Sequence, residues 1–210
     1  MLNAPSSVVI AGAARFLSGA TVRWVGCTPE PRQRVYFGNH TSHLDAVLIW
    51  SALPTQIRLR TRPLGARDYW GTENPLRRLI TRLSGAVLIA RDNTSVAARE
   101  QQIKTILESM GERWSLIVFP EGTRGAGPEI APFKSGLYHL SVGKPALELV
   151  PVYLDNVYRI LPKGELLPVP MACCVTFGPP LALGADEPKE AFLERAREAV
   201  QRLKSTEAPC

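Results

Sequence analysis

The 210-residue sequence predicts an α/β fold: one layered domain, a mixed and mostly parallel sheet flanked by helices, with a short N-terminal amphipathic helix. Three observations predict it. Continuous apolar runs such as Leu116-Ile117-Val118-Phe119 have the length and composition of strands buried on both faces. These runs alternate along the chain with segments of helical periodicity, the pattern of helices layered on a sheet. The length suits a single domain, and 45% apolar with 21% charged residues is ordinary globular composition. Disorder, collagen-like and repeat architectures are excluded, since the 18 prolines and 16 glycines follow no period.

The elements follow in order. Between residues 8 and 25, Val8, Val9, Ile10, Phe16, Leu17, Val22, Trp24 and Val25 form an apolar segment interrupted by Arg15 and Arg23. It reads either as a helix lying in an interface with its arginines at headgroups, or as a docked helix of a soluble fold. Residues 1–30 are accordingly the N-terminal amphipathic segment and residues 31–210 the α/β domain. Residues 34–38 read as a strand and residues 44–53 as a helix closed by Pro54. Over residues 57–62, Ile57, Leu59 and Thr61 alternate with Arg58, Arg60 and Arg62, so a strand there puts its arginines on one face.

Residues 75–83 have helical spacing and residues 87–90 the look of a buried strand. Val96, Ile103, Ile106, Leu107 and Met110 make an amphipathic helix ended by Gly111. After the strand at 116–119, residues 135–140 make a short helix, and residues 147–154 a strand despite Pro151. A further strand occupies residues 172–177. The last helix is expected to start from Asp186 as its cap, with Phe192, Ala196, Ala199, Val200 and Leu203 on one face.

Charge is unevenly placed. The net charge is +6, and the stretch from Arg58 to Arg91 holds eight arginines against Asp68 and Glu73. Such a field attracts phosphates or an anionic surface; the plainer reading is a solvated basic face. Cys27, Cys173, Cys174 and Cys210 show neither zinc-ligand spacing nor a secreted framework, which implies inert thiols in a reducing compartment. No run approaches the roughly 18 apolar residues that span a bilayer.

Two constellations carry chemistry. In Asn39-His40-Thr41-Ser42-His43-Leu44-Asp45 a strand ends, a polar turn follows and a helix begins. Ser42 and Asp45 have the spacing of a capping box, a purely structural reading. His40, however, falls just outside the C-terminal end of a strand, where open α/β sheets bind ligands. Asp45 one turn on is placed to hold one ring nitrogen and leave the other as a base. The second constellation, Phe119-Pro120-Glu121-Gly122-Thr123-Arg124, also follows a buried strand. Gly122 lets backbone amides approach a ligand, Thr123 adds a hydroxyl and Arg124 forks onto phosphate oxygens. Glu121 organises neighbouring arginines or accepts from a ligand hydroxyl, while Lys134 and Arg91 supply further cations. Taken alone, this stretch is equally a turn with a charged tip.

These residues resemble a known family. Asn39 to Asp45, Gly85-Ala86-Val87-Leu88-Ile89-Ala90-Arg91, Phe119 to Arg124 and Leu149-Val150-Pro151-Val152 look like the four ordered motifs of the glycerolipid acyltransferases of the lysophosphatidic acid (1-acylglycerol-3-phosphate O-) acyltransferase type. The resemblance covers about residues 39–152. It implies transfer of a fatty acyl group from coenzyme A or acyl carrier protein to a lysophospholipid hydroxyl, most simply 1-acylglycerol-3-phosphate. His40 then matches the catalytic histidine and Asp45 its partner. Glu121, Gly122, Thr123 and Arg124 match the acceptor loop, and Arg91 the residue that helps hold the phosphate, with Lys134 as a further contact. Neither a cofactor nor a metal is needed.

The chain departs from the family pattern in three ways. Leu88 stands where an aromatic is usual, and His43 sits at a variable position. Only 39 residues precede His40, where many relatives carry a longer hydrophobic anchor, so the expectation is peripheral attachment to the cytoplasmic face of an anionic membrane. Residues 8–25 and the arginines between 58 and 82 would supply it. Two rival readings remain open at this stage. One takes His40 and His43, with Asp45 or His139 as the third ligand, as a metal site of a hydrolase. The other is a non-catalytic module binding anionic lipid or nucleic acid through the basic region. Only Tyr69 and Trp70 stand among those arginines as stacking platforms, so nucleic acid is not expected as a partner.

Overall fold

The computed structural model describes residues 3–67, 81, 84–90, 95–125, 129–157 and 173–204. In chain order the elements are α1 (Ala4–Ser18), β1 (Ala20–Trp24), β2 (Arg34–Gly38), α2 (Asp45–Ala52), α3 (Thr55–Arg58), β3 (Thr61–Ala66) and β4 (Val87–Ile89). There follow α4 (Val96–Met110), β5 (Ser115–Val118), α5 (Gly136–Gly143), β6 (Glu148–Asp155), β7 (Cys173–Phe177) and α6 (Lys189–Lys204). The strands form one seven-stranded sheet in the order β1-β7-β6-β2-β5-β3-β4. Every pairing is parallel except β6 with β7, which makes the sheet mixed and mostly parallel.

Period-2 alternation assigns the strand side chains to two cores. Tyr36, Ile117, Val150 and Val152 point to the face covered by α1, α2 and α3, where they meet Ala11, Leu48, Ile49 and Ile57. Val35, Phe37, Leu116, Val118 and Leu149 point to the other face and pack with Ile106 and Met110 of α4, Leu137 of α5 and Phe192 of α6. Burial of both faces explains why the central strands read as unbroken apolar runs. Pro151 fits inside β6 because β7 begins its pairing only at Val152. On that side the Pro151 carbonyl accepts from Gly178 N–H, and the missing Pro151 donor removes no rung from the β2 ladder.

Most expected elements stand within a residue or two of their places, three differ, and one cannot be placed among the described residues. Residues 20–24, read with the N-terminal segment, are an edge strand of the sheet, so the α/β unit starts ahead of residue 31. Trp24 stacks on Phe177 at 4.0 Å, which draws this strand onto β7. The alternating arginines of residues 57–62 are not one face of a strand. Pro54 starts a helical turn, with Ile57 and Arg58 N–H both donating to its carbonyl, and extended structure resumes only at Thr61. Arg58 is buried, donating to Ser51 O and Thr55 Oγ1 and lying over the Trp50 ring. Arg62 stacks on Trp114 at 3.5 Å. Part of the basic field is thus absorbed by the fold. Asp186 does not cap α6: it adopts a left-handed backbone (φ 58°) three residues before the helix begins. The helix expected over residues 75–83 falls almost wholly outside the described residues.

Candidate active site

β2 and β5 are parallel neighbours, so their C-terminal ends leave the sheet on the same rim. β2 gives Gly38, Asn39 and then His40; β5 gives Phe119, Pro120 and Glu121. Gly38 is required by close approach, since a Cβ there would lie 2.7 Å from Val152 O of β6. Asn39 prolongs the strand with its side chain. Its Nδ2 donates to Leu154 O (3.0 Å) and its Oδ1 accepts from Leu154 N–H (2.8 Å). With the preceding residue anchored this way, His40 is held at the rim.

Asp45, the first residue of α2, is fully buried (0% exposed). Its Oδ2 accepts from Thr41 N–H (2.6 Å) and Ser42 N–H (2.8 Å) and faces His40 Nδ1 at 2.8 Å. An oxygen already taking two amide donors acts as an acceptor toward the ring, which assigns the proton to Nδ1 and the lone pair to Nε2. Nε2 has no partner among the described residues, and the His40 side chain is 20% exposed. The structural reading of this turn survives only in part. Asp45 does reach back to Ser42 N–H, but Leu44 rather than Ser42 occupies the cap position, and no side chain caps the helix.

The second constellation folds around the same histidine. Glu121 is 3% exposed; its Oε1 accepts from His40 N–H (2.7 Å) and its Oε2 from Ala131 N–H (3.0 Å). Burial pushes the Glu121 carboxyl up from its ordinary range, against the pull of those two amide donors. Gly125 N–H donates to His40 O at 2.8 Å. Both peptide groups of residue 40 are therefore tied to the 121–125 turn, which brings Thr123 and Arg124 alongside the His–Asp pair. Gly122 has a left-handed φ of 72°, and a Cβ there would stand 2.6 Å from Lys134 Nζ. The Lys134 ammonium consequently lies over this turn, while its N–H donates to Pro120 O. The Phe119 ring stacks on the His40 ring with centroids 4.3 Å apart and planes 14° apart.

His40, Asp45, Glu121, Gly122, Thr123, Arg124 and Lys134 thus meet at one rim, and Arg91 lies outside the described residues. Glu121 is occupied with backbone donors, not with arginines. His139 is on α5, where it contacts Tyr138. Among the described residues no group of three or more His, Cys, Asp or Glu is arranged to hold a metal ion. Sequence reasoning had assigned nothing to Asn39, Phe119 or Ala131. Only the position of Asn39 immediately after one predicted strand, and of Phe119 at the end of another, pointed to the rim.

Fold and site define an α/β protein whose sheet carries, at its C-terminal rim, a histidine bonded to a buried carboxylate beside a basic turn. More narrowly, the chain belongs to the acyltransferase family, whose model, described as "Acyltransferase", matches residues 21–155. It is similar to the 1-acyl-sn-glycerol-3-phosphate acyltransferase of Limnanthes alba, 28% identical over 179 residues that cover 82% of this chain and 59% of that protein. The corresponding enzyme of Haemophilus influenzae is 30% identical over 121 residues, covering 55% of this chain and 46% of its own. The chain thus spans somewhat over half the length of the plant relative. In fold it resembles the crystal structure of the 1-acyl-sn-glycerophosphate acyltransferase of Thermotoga maritima, with a TM-score of 0.74 and 20% identity. That match covers 98% of this chain and 81% of the other.

Proposed function

We propose that this chain moves a fatty acyl group from an acyl thioester, on coenzyme A or acyl carrier protein, to the free hydroxyl of a lysophospholipid. The acceptor is 1-acylglycerol-3-phosphate and the product phosphatidic acid. The observation that carries this reading is the 2.8 Å contact between His40 Nδ1 and Asp45 Oδ2, which leaves Nε2 open on the rim that also holds Arg124 and Lys134.

An alcohol is a weak nucleophile at neutral pH, and a placed base that removes its proton contributes roughly a hundredfold to ten-thousandfold. His40 Nε2 takes the hydroxyl proton as the oxygen bonds to the thioester carbonyl carbon. Asp45 steadies the imidazolium that forms. As the tetrahedral intermediate collapses, the carbon–sulfur bond breaks, the imidazolium returns the proton to the departing sulfur, and ester and free thiol result. Arg124 and Lys134, with Arg91, grip the acceptor phosphate and set its hydroxyl against Nε2, replacing a chance encounter by near-attack geometry.

The acceptor is a membrane lipid, and α1 supplies a surface for meeting it. Among the described residues no helix is long and apolar enough to cross a membrane. α1 nevertheless presents Val8, Val9 (71% exposed), Phe16 (86%) and Leu17 to solvent. Ala20, just past its C-terminal glycine, pairs with Cys173, and the antiparallel β6–β7 register sets that end of β1 on the rim where β2 and β5 finish. Its apolar face and Arg15 suit shallow insertion at a headgroup layer. The test is to incubate the purified chain with vesicles carrying a panel of lysophospholipids and labelled acyl thioesters, and to identify the lipid formed by mass. Phosphatidic acid from both natural components supports the reading; an unchanged lipid pool sinks it. Full vesicle binding after Phe16→Glu and Leu17→Glu together would reject the surface assigned to α1.

A further inference from the structure

Asp45 leaves one motion of the catalytic ring uncontrolled. A single hydrogen bond holds Nδ1, but the torsion joining an imidazole to its Cβ is broad and roughly two-fold, so the plane of the ring keeps some freedom to tilt. Tilting re-aims the lone pair of Nε2. The ring plane therefore needs a second restraint that acts on its face, and the backbone ties from Glu121 and Gly125 to residue 40 do not supply one.

Phe119 does. It is the first residue after β5, partly buried and packed against the core that includes Tyr36, Leu48 and Ile49. From that support its ring lies nearly parallel to the His40 ring, 4.3 Å between centroids and 14° between planes. A residue needed only to fill the edge of the core has no reason to match the plane of a partly exposed imidazole. Stacking adds a chemical effect as well. An aromatic face is a site of negative charge density and attracts a cation formed over it. The imidazolium is the form His40 takes once it has accepted the hydroxyl proton.

We propose that Phe119 is a positioning residue for acyl transfer, holding the plane of the His40 ring so that Nε2 meets the acceptor hydroxyl, and offering its face to the imidazolium. The proposal rests on the reading of His40 as the base. Phe119 acts through the His40 ring and not on the substrates, so its effect falls on turnover rather than on substrate affinity.

The test compares Phe119→Leu, Phe119→Tyr and His40→Ala with the unaltered full chain, measuring kcat and KM for the acyl thioester and for 1-acylglycerol-3-phosphate. Phe119→Leu is expected to lower kcat about tenfold with both KM values within about twofold, the pattern of an interaction that matters in the transition state. Phe119→Tyr, which keeps a flat ring, is expected to recover most of that loss. An independent readout is the proton NMR signal of His40 Hε1, assigned by its disappearance in His40→Ala. The Phe119 ring current displaces it, and Phe119→Leu should return it toward the position of an unstacked histidine. Wild-type kcat in Phe119→Leu, a Tyr variant as slow as the Leu variant, or an unmoved Hε1 signal each overturns the proposal. Turnover kept by His40→Ala would overturn the base assignment and this proposal together; turnover lost there but kept in Phe119→Leu overturns this proposal alone.

Discussion

Arg34, at the rim where β2 begins, and Asp45, at the rim where it ends, are both withdrawn from water, being 3% and 0% exposed. Arg34 closes on an opposite charge. Its Nε donates to Glu148 Oε2 at 2.7 Å, its Nη1 to Thr28 O at 3.0 Å, and Glu30 stands at 4.0 Å. Burial works against that guanidinium, yet the Glu148 hydrogen bond and charge outweigh it and raise the pKa overall. Asp45 closes on no cation. It is held by two backbone amides and by an imidazole whose far nitrogen stays open. A charge matched by a fixed ion is silent and serves the fold; a charge matched by peptide dipoles and a titratable ring keeps the capacity to answer a proton transfer.

The largest effect should come from the open rim. His40→Ala is expected to remove acyl transfer by at least the roughly hundredfold to ten-thousandfold that a placed base provides, with the unfolding midpoint nearly unchanged. Asp45→Asn should come next, cutting kcat by about a thousandfold while KM stays close to its original value, because an amide cannot stabilise the imidazolium. Steady-state kinetics on folded variants check both, and an active His40→Ala would collapse the contrast between the rims. Arg124→Ala should raise KM for a phosphate-bearing acceptor about tenfold or more and leave that for the thioester alone. Equal changes in both would remove Arg124 from the acceptor site.

At the closed rim the expectation reverses. Glu148→Ala strips a nearly buried guanidinium of its main partner and should cost about 3 kcal/mol of unfolding free energy by urea titration, with kcat within about twofold. Glu121→Gln sharpens the distinction within the open rim. One acceptor oxygen becomes a donor facing a backbone N–H, so stability should fall by about 1–2 kcal/mol. The raised carboxyl also sets a direction with pH. A folded-state pKa above the unfolded value contributes stability that is fully present below the unfolded pKa and is lost as pH rises through the folded one. The advantage of the natural chain over Glu121→Gln should therefore be greater near pH 4 than at pH 7; denaturation at the two values decides it.

How much of this was legible depends on the range of the interaction. The central strands were readable because burial on both faces leaves unbroken apolar runs at 35–37 and 116–118. His40 with Asp45 was readable because they stand five positions apart across a strand–helix turn. The strand expected over 57–62 failed because its alternation is real while Pro54 and the Trp50 ring, both upstream, draw Arg58 into a helical turn. Glu121 lay beyond reach of local pattern. Its partner His40 N–H is 81 residues away, and nothing near Glu121 in the chain distinguishes a carboxylate that binds ligand from one that braces a backbone.

The side chain at position 39 has a consequence for what the gene can tolerate. A carboxamide that stands in for a peptide group must offer one donor and one acceptor at a set reach: aspartate lacks the donor, glutamine overshoots by a methylene, and serine falls short of spanning both atoms of Leu154. Of the twenty encoded amino acids, asparagine alone meets that specification, so this position should be as intolerant of replacement as His40 and Asp45 themselves.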